Sequence, residues 1–245
     1  MKTGNDSYGE GAFQRTQLML GAEAMRRLAR SHVAVLGLGG VGGYAVEALA
    51  RSGVGALTLV DSDTVSVTNL NRQLLALRST LGRKKVDVAR ERVADINPDC
   101  RVTCHDMFYL PNNAHTLDLS GMDCVVDCID TVVAKMHLAR TCCDLGVPLV
   151  SCMGAAYKMD PMAFRVADFA LTRVDPLARS MRKLMRRNGC DDLHFLCVYS
   201  EEKPAVPAEQ PVATDGHKCP PSNAFVPAAA GLLVARTVIA QLAQL

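Results

Sequence analysis

Short apolar runs rich in β-branched residues alternate along the chain with stretches whose apolar residues recur three or four apart, and that alternation predicts an α/β fold with a mostly parallel sheet. The strand-like runs are His32–Leu36, Ala56–Val60, Val102–Cys104, Asp123–Asp130 and Pro148–Met153. Between them lie helical patterns: Tyr44 to Ser52 with Ala45, Val46, Ala48 and Leu49 inward, Val86 to Ile96 with Val86, Ala89, Val93 and Ile96 inward and Pro98 ending it, and a helix running through Lys135 to Leu145. Ahead of the first strand, Phe13 to Leu28 is helical in pattern and broken by Gly21. Beyond Gly154 the rhythm changes. Ala163–Phe169 and Phe195–Ser200 read as strands that extend the sheet in antiparallel fashion, with a helix over Pro176–Arg187 between them. Proline and polar residues fill 201–222, the composition of a mobile loop, and an apolar helix with Pro227 near its start closes the chain. Residues 1–12 read as disordered. Residues 13–245 read as one domain, with a nucleotide-binding part over 13–155 and a C-terminal extension over 156–245.

The first strand stops at Gly37-Leu38-Gly39-Gly40-Val41-Gly42, and a helix follows. Glycines at this spacing permit a tight turn, let phosphate approach the backbone and bring helix close to strand, while free N–H groups at the helix start attract an anion. The expectation is a Rossmann-like sheet with helices on both faces and a nucleotide at its glycine loop. Asp61, at the end of the next strand, suits ribose hydroxyls in NAD and ATP alike. Asp61-Ser62-Asp63 and Asn69-Leu70-Asn71-Arg72-Gln73 then form a polar segment that a plain dehydrogenase does not need; asparagines fix a loop and an arginine clamps phosphate oxygens. Lys84 and Lys85 stand at a helix start, the wrong end for the helix dipole, which suits either a solvated surface or a functional cation. Asp130 falls where the fourth strand ends and either holds magnesium against phosphates or caps the following helix.

Composition narrows the field. At 245 residues, 49% hydrophobic and 21% charged, the chain has the make-up of an ordinary soluble protein with a substantial core. A net charge of +2 predicts no general affinity for polyanions, yet Arg173, Arg179, Arg182, Lys183, Arg186 and Arg187 crowd one short stretch. On a helix, the last five form one positive face, either solvated or set against a phosphate backbone. No apolar run reaches the roughly 18 residues of a membrane span and the start is not signal-like, so a cytoplasmic protein without a membrane span is expected. The ten cysteines read as small buried hydrophobes; Cys100/Cys104, Cys124/Cys128 and Cys142/Cys143 all miss the two-residue gap of structural zinc.

Taken in order, Arg15, the glycine loop, Asp61-Ser62-Asp63, Asn69 to Gln73, Lys85 and Asp130 resemble the ATP-dependent adenylating enzymes related to ubiquitin-activating enzyme. Asp175-Pro176-Leu177-Ala178-Arg179, Val198-Tyr199-Ser200-Glu201-Glu202 and Phe225 to Gly231 resemble one branch, the tRNA threonylcarbamoyladenosine dehydratases. The resemblance implies that Gly39 and Gly40 line the phosphates of ATP and that Asp61 holds the ribose, with Gly37 and Asp63 also among the nucleotide-binding residues. It implies that Asn71, Arg72 and Lys85 contact the triphosphate, with Asn69 and Gln73 also among the nucleotide-binding residues, that Asp130 binds Mg2+, and that Arg15 reaches into the partner's site of a homodimer. Arg15, Arg72, Lys85 and Asp130 are then the catalytic set, and Arg179, Arg182, Lys183, Arg186 and Arg187 hold tRNA carrying threonylcarbamoyladenosine. The implied reaction is ATP-dependent dehydration of that nucleoside, a cyclisation through its adenylated carboxylate with release of AMP and pyrophosphate. A sulfur-transfer partner of the cysteine desulfurase system stays open. So does a second reading, an adenylyltransferase acting on the C-terminus of a ubiquitin-like sulfur carrier, with Cys190, Cys197 or Cys219 as a thiol relay. A third, a non-catalytic nucleotide-binding partner, is set against the presence of Arg72, Lys85 and Asp130.

Overall fold

The computed structural model describes residues 11–190, 192–209 and 220–245. Its centre is a seven-stranded sheet, ordered β3-β2-β1-β4-β5-β7-β6, with β1 at His32–Leu36, β2 at Ala56–Val60, β3 at Arg101–His105, β4 at Cys124–Asp127, β5 at Leu149–Cys152, β6 at Phe164–Asp168 and β7 at Leu196–Ser200. β2, β4 and β5 are buried throughout and β1 nearly so, which is why they read as continuous apolar runs: helices cover both faces of a parallel sheet. β3, at one edge, keeps Arg101 and Thr103 exposed. The expected antiparallel extension is half right. β7 runs parallel to β5, with Val150 opposite Leu196, and β6 alone is antiparallel, pairing Phe164 with Ser200 of β7.

The helices are α1 (Gln14–Leu20), α2 (Ala22–Arg30), α3 (Gly42–Arg51), α4 (Lys85–Ile96), α5 (Val132–Leu145), α6 (Pro176–Arg187) and α7 (Val226–Ala243). One apolar cluster joins Leu28, Leu49, Val93 and Val234 to one face of the sheet; another joins Leu138, Met181 and Met185 to the other. Gly21, at φ +86°, separates α1 from α2 as the sequence predicts. α1 buries none of its residues, and Leu18 and Met19 are 81% and 86% exposed. α7 corrects the expectation that no stretch matches a membrane span, for its 18 residues have a mean hydropathy of 1.6. Half of it is buried: Ala230, Val234 and Val238 sit in the core, and a Cβ on Gly231 would overlap the Val41 carbonyl at the start of α3. Its packing is that of a core helix. The expected disorder of 1–12 falls almost wholly outside the described residues, as do residues 210–219 of the loop expected over 201–222, Cys219 among them.

Candidate active site

A cleft of about 890 Å³ opens at the carboxyl ends of the parallel strands, where the strand order reverses between β1 and β4 and where open α/β sheets bind their ligands. Gly37, Gly39, Gly40 and Val41 line it at the start of α3. Gly37 has φ +89°, and a Cβ there would lie 2.7 Å from the Cys128 carbonyl oxygen; one on Gly42 would overlap the carbonyl of Gly37. These two positions require glycine, because the turn must press β1 against the end of β4. Gly40 faces Pro227 and the Arg72 stem.

Asp61 ends β2 and accepts from the backbone N–H groups of Leu38, at 2.6 Å, and Asp63, at 2.8 Å. Burial raises its carboxyl pKa, opposed by the Lys85 charge and those two donors. Lys85 is buried and reaches Asp63 at 2.7 Å, while the Lys85 N–H donates to the Asp63 carbonyl at 3.0 Å. Lys84 turns away to Asp106, at 3.1 Å, and does not line the cleft. The two lysines that look alike in sequence therefore divide, and Lys85 alone belongs to the site.

Of the polar segment, Asn69, Arg72 and Gln73 line the cleft. The Asn69 carboxamide accepts from the Ser66 N–H at 3.1 Å and so shapes the short 3-10 turn that precedes Arg72. Asn71 is not on the wall: it donates to the Ser222 carbonyl at 3.1 Å and its own oxygen accepts from Arg72 Nη1 at 2.9 Å, so it orients Arg72. Gln73 keeps a buried side-chain oxygen without a partner, an acceptor that a bound donor would satisfy. Among the described residues lining the cleft, Arg72 is the one Lys or Arg with no carboxylate partner, since Lys85 is paired with Asp63 and Lys158 with Asp175.

Asp130 lies on the cleft wall three residues past β4. The capping alternative fails: Thr131 holds the N-cap position of α5, without a side-chain cap bond. Asp130 is exposed and makes no hydrogen bond or ion pair with the described residues. Its loop is held from below by a pair that the sequence reading missed. Asp127 and Lys135, both fully buried, meet at 2.8 Å. Asp127 accepts from Ser151 Oγ at 2.7 Å and the Ile129 N–H at 3.1 Å, while Lys135 donates to the carbonyls of Cys152 at 2.7 Å and Ile129 at 3.1 Å. Burial lowers the Lys135 pKa and the Asp127 charge raises it, with a net shift upward. The sequence signal was there, a lysine among Ala134, Leu138 and Ala139 on an inward helix face. A second buried pair, Lys158 with Asp175 at 3.1 Å, stands at the other end of the cleft, where Asp175 also caps α6 through the Ala178 N–H at 2.9 Å.

Two sets of expected residues stand outside the cleft. Arg15 is on α1 and exposed. The α6 cations start near the cleft, since Pro176 and Leu177 line it, and run outward. Arg179, Lys183, Arg186 and Arg187 are exposed and have no ion pair with the described residues. Arg182 departs from the expected open face: it donates to Thr172 Oγ1 and lies 5.6 Å over the Phe169 ring. Among the described residues, Cys100, Cys124, Cys142, Cys152 and Cys197 behave as the expected buried hydrophobes. Burial pushes Cys124, Cys142 and Cys152 up to about 12. Cys197, inside β7, is buried and shifted the same way, which removes it as a relay; Cys190 is half-buried and Cys143 exposed.

A profile of the ThiF family matches residues 13–244. The chain is 44% identical over 239 residues, 94% of each chain, to the tRNA threonylcarbamoyladenosine dehydratase of Bacillus subtilis. It is similar in structure to the Escherichia coli tRNA N6-threonylcarbamoyladenosine dehydratase solved with AMP, with a TM-score of 0.88 and 36% identity over 99% of this chain and 97% of that one. The ATP complex of the same enzyme gives 0.87 over 98% and 97%. The molybdopterin-synthase adenylyltransferase of Salmonella typhimurium is 39% identical over a shorter stretch, 68% of this chain and 65% of that one.

Proposed function

The chain belongs to the ThiF family, and from that membership and the cleft we propose that it is an ATP-dependent tRNA threonylcarbamoyladenosine dehydratase acting as a homodimer with magnesium. One observation carries most weight: similarity to dehydratases runs through the C-terminal extension, covering 94% of the chain, whereas similarity to the molybdopterin-synthase adenylyltransferase covers 68%. The sulfur-carrier reading loses its support beyond the part that both share.

ATP takes the β2–β4 side of the cleft, with its ribose at Asp61 and its phosphates over Gly39 and Gly40. Mg2+ fits Asp130, an exposed carboxylate free to coordinate; no group of three or more His, Cys, Asp or Glu forms a metal cage among the described residues. One carboxylate with phosphate oxygens and water is the usual way a hard, small cation is held beside a nucleotide, where it offsets phosphate charge. The substrate carboxylate attacks the α-phosphorus and pyrophosphate leaves. A group within the same modification then attacks the acyl carbon, AMP departs, and the net change is loss of one water. Closing a ring inside one substituent has a high effective molarity, so no enzyme thiol is required.

Two anions must meet in the first step. Arg72 and Lys85 stabilise the charge on the transferring group by fixed position, but Lys85 is already matched by Asp63. One chain therefore brings a single unmatched arginine, which supports a second cation from Arg15 of a partner copy; the exposed Leu18 and Met19 beside it supply apolar surface for that contact. The exposed α6 cations would hold tRNA phosphates while the modified base enters the cleft at Pro176 and Leu177. Mixing an Arg15→Ala chain with a Lys85→Ala chain tests the shared site: heterodimers regain activity because one of the two sites is intact. No recovery after proven subunit exchange contradicts it. A cytoplasmic location, and a sulfur-transfer partner as an aid rather than a reactant, complete the reading.

A further inference from the structure

Strand order decides where an incoming acid has room. With β2 carrying Asp61, β1 the glycine loop and β4 leading to Asp130, ATP fills the first part of the cleft. Neighbouring strands are about 4.8 Å apart, so the loops after β5 stand about 10 Å from the end of β1. There the wall is formed by Met153, Tyr157, Leu177, Pro204, Val206 and Pro207. Among the described residues that line this side of the cleft, the one Lys or Arg is Lys158, which is 2% exposed and bound to Asp175. A surface so apolar, without a free charge, does not suit phosphate; it suits a flat, uncharged group.

Tyr157 has φ +60°, a region glycine adopts freely and a bulky side chain only against strain. Its backbone is clamped on both sides: the N–H donates to the Pro221 carbonyl at 2.9 Å, and the carbonyl accepts from the Ala205 N–H at 2.7 Å. Glycine would make both bonds with no strain, so the loop's own hydrogen bonding gives no reason for an aromatic residue. The half-buried ring on the cleft wall does, because strained residues gather where a side chain must face a ligand. We infer that the β5–β7 side of the cleft is the acceptor subsite, taking the purine base that carries the carboxylate, and that the Tyr157 ring is the platform on which that base stacks. Splayed-out RNA bases are commonly bound in this way. The inference rests on the dehydratase reading and adds the residue that recognises the substrate.

The test is a steady-state comparison of wild type, Tyr157→Gly and Tyr157→Phe with ATP, Mg2+ and tRNA bearing threonylcarbamoyladenosine, alongside thermal melting. Tyr157→Gly relieves the backbone, so its melting temperature holds or rises, while KM for the modified tRNA increases at least fivefold, the scale of one lost base–aromatic stack. KM for ATP stays within twofold, and Tyr157→Phe keeps wild-type values. An unchanged tRNA KM in Tyr157→Gly, or an equal rise in the KM for ATP, overturns the subsite alone. Wild-type protein inert toward the modified tRNA overturns the dehydratase reading and the subsite with it.

Discussion

The two halves of the cleft are built differently. On the β2–β4 side the framework of the site sits within a few residues of strand ends: Asp61 follows β2, the glycine loop follows β1, and Asp130 lies just beyond β4, with Asn69, Arg72, Gln73 and Lys85 added from the single segment between β2 and α4. On the β5–β7 side the wall comes from four separate stretches, at 153–158, 176–177, 204–207 and 220–222, brought together by Lys158–Asp175 and by backbone bonds such as Ala205 to Tyr157. On the proposed reading, the first half serves a reaction any adenylating enzyme must perform and the second serves recognition of one acceptor. The difference teaches that the shared chemistry is local in sequence and the specificity is assembled by the fold.

The largest effect is expected at the seam. Asp127–Lys135 holds the Asp130 loop and the end of β5 together, so Lys135→Met leaves a buried carboxylate unpaired and costs about 3–5 kcal/mol in denaturant unfolding. The double variant with Asp127→Leu recovers most of that stability, since two apolar groups leave no buried charge. The upward shift of Lys135 has a defined sign: its stabilisation is complete below the ordinary lysine value of 10.5 and is lost as pH climbs through the raised one. The double variant lacks that alkaline loss, which melting curves across the range will show.

Next, Arg72→Ala separates the halves from the nucleotide side. Pyrophosphate release falls about a hundredfold or more, on the order of 3 kcal/mol in the barrier, with tRNA affinity and melting temperature nearly unchanged. Full activity would remove Arg72 from the chemistry. From the other side, Lys183→Glu with Arg186→Glu weakens tRNA binding and flattens the plot of log affinity against log salt by about two, one phosphate contact for each lost cation, while ATP binding survives. Arg182 is left alone because its stacking on Phe169 would confuse packing with charge. The smallest effect is in the thiols: at pH 8, alkylation labels exposed Cys143 before buried Cys124, Cys152 and Cys197. Rapid labelling of Cys197 would reopen a relay.

Legibility followed the same division. His32–Leu36, Ala56–Val60 and Pro176–Arg187 could be bounded from periodicity alone, because burial on both sheet faces or an apolar stripe under a basic one leaves a clear pattern. Asp61 was visible through its spacing from the glycine loop, Arg72 through the polar segment that carries it, and Lys85 through a cation at the unfavourable end of a helix. That Lys84 and Lys85 would part, one to Asp106 and one into the cleft, could not be read, since one residue of helix rotation decides it. The parallel course of β7 also escaped, for strand direction depends on the crossover and not on the strand's own residues. Tyr157 gave no signal because a positive φ belongs to the folded loop.

The most direct measurement is nucleoside mass analysis after incubating the protein with ATP, Mg2+ and tRNA bearing threonylcarbamoyladenosine. The account predicts a nucleoside lighter by one water, formed only with ATP and accompanied by AMP and pyrophosphate. An unchanged nucleoside, with AMP appearing instead on the C-terminus of a sulfur-carrier protein in a parallel reaction, would contradict it.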